Sequence, residues 1–150
     1  MSATFTLYVV NEDKLPAKLE GLSDMEKYNR LVAAVEAEGA RWAVLELRTE
    51  DFAAALESID RRIGDTGFLP VFAFNNSPHN VLGNYGEGPC FGYFNPIQVK
   101  DLHACVQALS PETLEDDDVG ENILDEVFYA FESVAAEASK RGYALAVIHS

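Results

Sequence analysis

The sequence has few cysteines and no long apolar run. Only two of its 150 residues are cysteine, Cys90 and Cys105, and no Cys-x-x-Cys pair occurs. A disulfide-stapled secreted scaffold would carry more thiols than this. The apolar run near the amino terminus, 5–10, is far too short to cross a bilayer, and no basic segment precedes it as in a signal peptide. We therefore expect a cytoplasmic protein with reduced thiols and no membrane contact.

Cations are scarce as well. The chain has 11 Lys and Arg against 25 Asp and Glu, a formal net charge of −14. Duplex DNA and anionic membranes bind to clustered cations, so the balance argues against nucleic acid or membrane as a partner. No Lys or Arg occurs from Asp101 to Ser139. This stretch is either a solvated face that maintains solubility or a surface that steers a basic protein partner. The acidic candidates for that contact are Glu115, Asp116, Asp117 and Asp118.

Residue patterns predict strands and helices in mixed order. Consecutive strands at 68–74 and 90–95 do not fit a pure alternation of strand and helix. We predict one α+β domain over 1–150, with a mixed or largely antiparallel sheet of about five strands packed with helices. The strands are expected at 4–10, 42–48, 68–74, 90–95 and 143–148, where β-branched and aromatic residues are enriched.

Local signals place the ends of the helices. Ser23 with a glutamate three residues later has the form of a capping box, and Asn95 precedes a proline that fits the first helical position. Thr49 and Asp118 are predicted as the N-caps of two further helices. Gly142 is predicted to end the last long helix.

The segment 75–95 is the one stretch in which polar side chains, glycines and aromatics converge. Long loops inside compact domains are often functional. Its glycines match neither the P-loop nor the dinucleotide-binding fingerprint. Two interpretations stay open: a connection whose glycines and asparagines satisfy turns, and a pocket for a small molecule or peptide. The pocket candidates are Asn76, His79 and Asn84.

No catalytic or metal-binding signature is present. His79 lies near Ser77 and Glu87 in sequence, but catalysis requires a nucleophile, a base and an orienting acid in contact. A metal site would need three of the scattered His and Cys side chains to meet, and no spacing supports this. We predict no catalytic residue, no metal and no cofactor, and interpret Cys90 as a small buried hydrophobe.

The aromatic residues divide into two groups. Phe5, Tyr28 and Trp42 fall in periodic segments and are predicted to pack in the core. The aromatics of 85–94 are denser than a core alone requires, so an exposed part of this cluster could anchor a partner. The partner-binding candidates in this cluster are Tyr85, Glu87 and Tyr93.

A glycine-rich turn at 83–89 leads into the strand at 91–94, and the next helix opens with Pro96 followed by Val99. A long helix, a glycine and a last strand complete this pattern. Residues 68–150 thereby resemble the YfbM-like family of bacterial domains of unknown function. The resemblance implies a small bacterial α+β domain and no agreed activity, so it supplies no catalytic residue. Some small acidic bacterial domains of this kind act as antitoxins or immunity proteins.

Together these observations predict a non-enzymatic bacterial protein that binds a basic protein partner, as an immunity or antitoxin-type protein does. One alternative is a small-molecule-binding protein or an enzyme that uses the loop 75–95. A structural or oligomer-forming role is the third hypothesis.

Overall fold

A computed structural model describes residues 3–64, 68–82, 91–109 and 119–150. The strands are β1 (Ala3–Val10), β2 (Ala40–Leu47), β3 (Phe91–Phe94) and β4 (Ala144–His149). The α-helices are α1 (Asp24–Glu38), α2 (Thr49–Arg62), α3 (Phe68–Phe74), α4 (Pro96–Gln107) and α5 (Glu121–Arg141). Short 3₁₀ turns occur at Glu12–Lys14 and Pro78–Asn80.

The four strands form one antiparallel sheet in the order β2-β1-β4-β3. β1 and β4 are central, and β2 and β3 form the two edges. The predicted α+β class is confirmed, and the described residues form four strands where about five were predicted. Among the described helices, none combines the length and apolar character that crossing a bilayer requires.

The prediction of a fifth strand at 68–74 is wrong, because this segment forms the helix α3. A short, wholly apolar run is compatible with a buried strand and with a buried helix. Leu69 and Ala73 are buried and lie four residues apart, whereas Val71 is exposed, which is helical periodicity. Pro70 is tolerated there because the first turn of a helix leaves its N–H groups unpaired.

Each face of the sheet is covered by a different set of helices. α1 covers one face, where Leu31 and Val35 pack with Tyr8 and Tyr93. α2 to α5 cover the other face and enclose the larger core. The sheet residues of that larger core are Phe5, Leu7, Val9, Leu45, Leu47, Phe94, Leu145 and Val147.

Three of the predicted helix ends are confirmed. The Ser23 hydroxyl accepts a hydrogen bond from the Glu26 amide at 3.2 Å and caps α1. Asn95 and Gln98 form a reciprocal capping box at the start of α4, with distances of 2.8 and 2.9 Å. Gly142 ends α5 in the left-handed conformation, at φ 70°.

The N-cap of α2 differs from the prediction. The N-cap residue is Arg48 and Thr49 is the first helical residue, so the threonine hydroxyl does not cap the helix. The Arg48 guanidinium instead pairs with Asp51 at 3.1 Å. The N-cap residue of α5 is Gly120, and the predicted cap Asp118 lies outside the described residues.

Aromatic packing confirms two of the three predicted core residues. Phe5 is fully buried and stacks on Phe52, with ring centroids 3.9 Å apart. Tyr28 is half-buried on α1, and its ring meets Phe91 edge-on at 6.3 Å. Trp42 is 39% exposed, so its assignment to the core is wrong.

Candidate functional site

Asn76, predicted as a pocket residue, is engaged in the fold. Its side-chain amide donates to the carbonyl of Tyr93 at 2.7 Å, and its backbone N–H donates to the carbonyl of Phe91 at 3.0 Å. Both acceptors belong to the edge strand β3. Asn76 therefore connects the segment after α3 to the edge strand of the sheet through two hydrogen bonds.

His79, the second predicted pocket residue, lies on an exposed turn in an unusual backbone conformation. His79 and Asn80 have φ values of 54° and 55°, which is the left-handed region. Side chains other than glycine are uncommon there, although histidine and asparagine are enriched among those that occur. The His79 side chain forms no hydrogen bond or ion pair with the residues that the structure describes.

Ser77, on the same turn, does not have the geometry of an activated nucleophile. Its side chain is buried, and its hydroxyl accepts a hydrogen bond from the Leu82 amide at 3.0 Å. This contact spans the turn Pro78–Asn80, in which the Ser77 side chain caps none of the turn's own N–H groups. The third predicted pocket residue, Asn84, lies outside the described residues, as does Cys90.

Tyr93 was predicted to bind a partner, but it is only 2% exposed. Its ring packs beneath α1, and its hydroxyl donates a hydrogen bond to the Glu12 carboxylate. Burial raises the pKa of the Tyr93 hydroxyl well above its ordinary value, and the hydrogen bond and negative charge of Glu12 raise it further. Tyr93 therefore links β3 to the turn after β1 and offers no surface to a partner, which corrects the prediction.

Tyr85, Glu87, Glu115, Asp116, Asp117 and Asp118 all lie outside the described residues. The cation-free stretch nevertheless continues along α5 as far as Ser139. Glu126 and Tyr129 are exposed on this helix, Tyr129 by 49%.

Trp42 extends the exposed surface of α5. Its indole N–H donates to the Ser133 hydroxyl at 2.8 Å. Ser133 lies four residues after Tyr129, so both occupy one face of the helix. Glu126 precedes Tyr129 by three residues and lies on that face as well. We call these four residues the α5 strip: Trp42, Glu126, Tyr129 and Ser133.

Sequence reasoning missed the α5 strip, although part of its signal was present. Tyr129 falls outside the apolar stripe of α5, so the periodicity already marked it as a large aromatic on the polar side. Trp42 had no such signal. It is the extra residue of a β-bulge, because Leu7 pairs with Ala43 whereas Tyr8 pairs with Arg41. A bulge redirects a side chain in a way that strand alternation does not predict.

Within the described ranges, no three His, Cys, Asp or Glu side chains are grouped so as to hold a metal ion. Cys105 is a partly buried free thiol on α4. Comparison of the chain with models of known protein families, with curated proteins and with solved structures found no significant match. The resemblance to the YfbM-like family therefore stays a prediction.

Proposed function

We propose that this chain is a cytoplasmic, non-enzymatic bacterial protein that binds a basic protein partner, as an immunity or antitoxin-type protein does. The observation that carries the proposal is the α5 strip. It presents two exposed aromatic rings: Tyr129 on α5, within the 39 residues that lack Lys and Arg, and Trp42 on β2, hydrogen-bonded to that helix. A membership in the YfbM-like family would agree with this proposal but is not needed for it.

The two kinds of side chain in the strip have different roles. Large aromatics such as Trp42 and Tyr129 supply affinity, because they bury much surface at little cost in side-chain entropy. Carboxylates such as Glu126 mainly raise the association rate with a cationic partner and repel anionic proteins. The net charge of −14 extends this steering over the whole molecule.

The test is affinity capture from bacterial lysate at low and at high salt, followed by binding kinetics with the captured protein. We expect a basic partner whose affinity falls about 30-fold for Tyr129→Ser, corresponding to about 2 kcal/mol for an anchoring aromatic. Glu126→Gln should lower the association rate at low salt and change it little at high salt.

The matched control is Met25→Ser, which removes another exposed apolar side chain, 57% exposed and on the opposite helical layer. It should leave the affinity unchanged. Equal affinities for Tyr129→Ser and the unmodified chain, or an acidic partner, would contradict the proposal.

The alternative, a small-molecule-binding protein or an enzyme that uses 75–95, is favoured by one observation. His79 and Asn80 hold left-handed backbone conformations on the surface, and such strain often accompanies functional sites. A screen of metabolites by thermal shift tests it. A ligand that raises the melting temperature of the unmodified chain and not of His79→Ala would support this alternative.

A further inference from the structure

β2 lies at one edge of the sheet. β2 ends the sheet order, and no described element pairs with its outer side. The edge of an open strand presents unpaired N–H and C=O groups, which can pair with another strand. The exposed residues of β2 are Ala40, Arg41, Trp42, Val44 and Glu46.

The bulge at Trp42 sets the order of the side chains along this edge. Arg41, Val44 and Glu46 pair with alternate residues of β1, so they project from the same face of the sheet at equal steps. In a regular strand without the bulge, Arg41 and Val44 would project from opposite faces, because they lie three positions apart in the sequence. The β1 partners of the three residues are Tyr8, Thr6 and Thr4, respectively.

This order is self-complementary. When two such strands are placed antiparallel about a two-fold axis at Val44, Arg41 of each strand lies opposite Glu46 of the other. Val44, which is 47% exposed, then meets its own copy at the axis. Neither Arg41 nor Glu46 forms an ion pair with a residue in the described ranges, so both charges are free to pair across the axis.

We propose that a second copy of this chain binds to the outer edge of β2. The two β2 strands pair antiparallel and are centred on Val44, so that the two four-stranded sheets form one continuous sheet of eight strands. Cross-strand pairs of opposite charge stabilise such an arrangement, and like charges directly opposite each other destabilise it. A parallel pairing in register would place like charges together, so the charge order selects the antiparallel one. The interface is isologous, as in most homodimers. This inference goes beyond the proposed function and does not depend on it.

A charge exchange tests the pairing, with the oligomeric state measured by sedimentation equilibrium on the full chain. The unmodified chain should dimerise with concentration. Arg41→Glu and Glu46→Arg should each weaken dimerisation by about tenfold or more, because each places like charges opposite each other twice. An equimolar mixture of the two variants should form heterodimers, because both cross-strand contacts are then between opposite charges.

The mixture also separates loss of pairing from loss of folding, because misfolded chains would not regain dimerisation on mixing. A chain that stays monomeric at its highest soluble concentration overturns the proposal. So do single variants that dimerise as tightly as the unmodified chain, or a mixture that stays monomeric.

A cross-link tests the register. With both native cysteines replaced by alanine, Val44→Cys should form a disulfide-linked dimer on mild oxidation, because residues directly opposite in antiparallel strands bring their Cβ atoms close enough. The matched control is Val71→Cys on α3, which replaces an exposed valine away from this edge. Equal cross-linking of the two variants would overturn the proposed register. Both tests use the purified chain alone, so their outcome is independent of any partner of the α5 strip.

Discussion

Replacing Gly92 with alanine tests the packing that distinguishes this fold from the predicted one. Gly92 lies on β3 beside Ala73 of α3. A Cβ atom at this position would lie 2.2 Å from the carbonyl oxygen of Ala73 and 2.7 Å from the Cβ of Val147. The first contact is with helix backbone, which cannot rotate away as a flexible side chain can. Ordinary contact begins at 3.4 Å, so α3 or β3 must move by roughly 1.2 Å to accommodate the methyl group.

The cost follows from the rigidity of the packed layers. Overpacking a well-packed core costs about 1–3 kcal/mol. We expect Gly92→Ala to lie near the upper end, about 2–3 kcal/mol, because both contacted atoms belong to buried residues. In a chain of this length, 1 kcal/mol corresponds to about 2–4 °C in melting temperature, so the melting temperature should fall by about 4–12 °C.

The assay is urea unfolding followed by circular dichroism, with calorimetry for the melting temperature. The matched control is Gly120→Ala, where a Cβ atom would make only ordinary contact, 3.5 Å from the Cδ1 atom of Ile123. Gly120 is the N-cap residue of α5, so this control should cost less than about 1 kcal/mol. A Gly92→Ala variant as stable as the unmodified chain would refute the close packing of α3 on β3.

Three further substitutions test contacts at the β3 edge and at the start of α4. Tyr93→Phe removes the hydrogen bond to the Glu12 carboxylate and should cost about 1.5–3 kcal/mol in urea unfolding. The pKa of Tyr93 is raised in the folded state, so its contribution to stability is complete below its ordinary pKa of 10.0 and declines as pH rises beyond that value. The loss of stability in alkaline solution should accordingly be smaller in Tyr93→Phe. Asn95→Ala removes the capping box of α4 and should lower the free energy of unfolding by about 1 kcal/mol. Asn76→Asp keeps the shape of the side chain but removes the donor to the Tyr93 carbonyl. It should lower the free energy of unfolding by about 1–3 kcal/mol. It should also speed hydrogen exchange of the backbone N–H at position 76, which donates to the Phe91 carbonyl. Unchanged exchange would contradict the assigned contact.

Part of the candidate site was within reach of sequence reasoning. The charge imbalance and the cation-free stretch are properties of the sequence itself, and the off-stripe position of Tyr129 was visible in the periodicity of α5. The role of Asn76 was not visible, because its acceptor on Tyr93 lies 17 residues further along the chain. The partner of Trp42 is more distant still, since Ser133 lies 91 residues away.

The sequence by itself determined the features that act over a few residues. The caps at Ser23 and Asn95 and the stop at Gly142 depend on side chains and backbone groups within one helical turn, so their signals are local. The strands β1 to β4 were predicted at nearly their observed bounds from their β-branched and aromatic content. The acidic charge likewise required no fold to be known.

Tertiary structure decided whatever depends on contacts between distant segments. The run of α3 is apolar on all sides, and only its packing against Gly92 and the core specifies a helix there. Strand alternation places Phe91 and Tyr93 on one face, but the covering of that face by α1 buries the tyrosine. The bulge at Trp42 arises in the pairing of β2 with β1, and it exposes the indole and aligns the charges of the open edge. Burial and strand register depend on contacts between two segments that folding brings together. A short stretch of sequence includes only one of those segments, so it does not determine them.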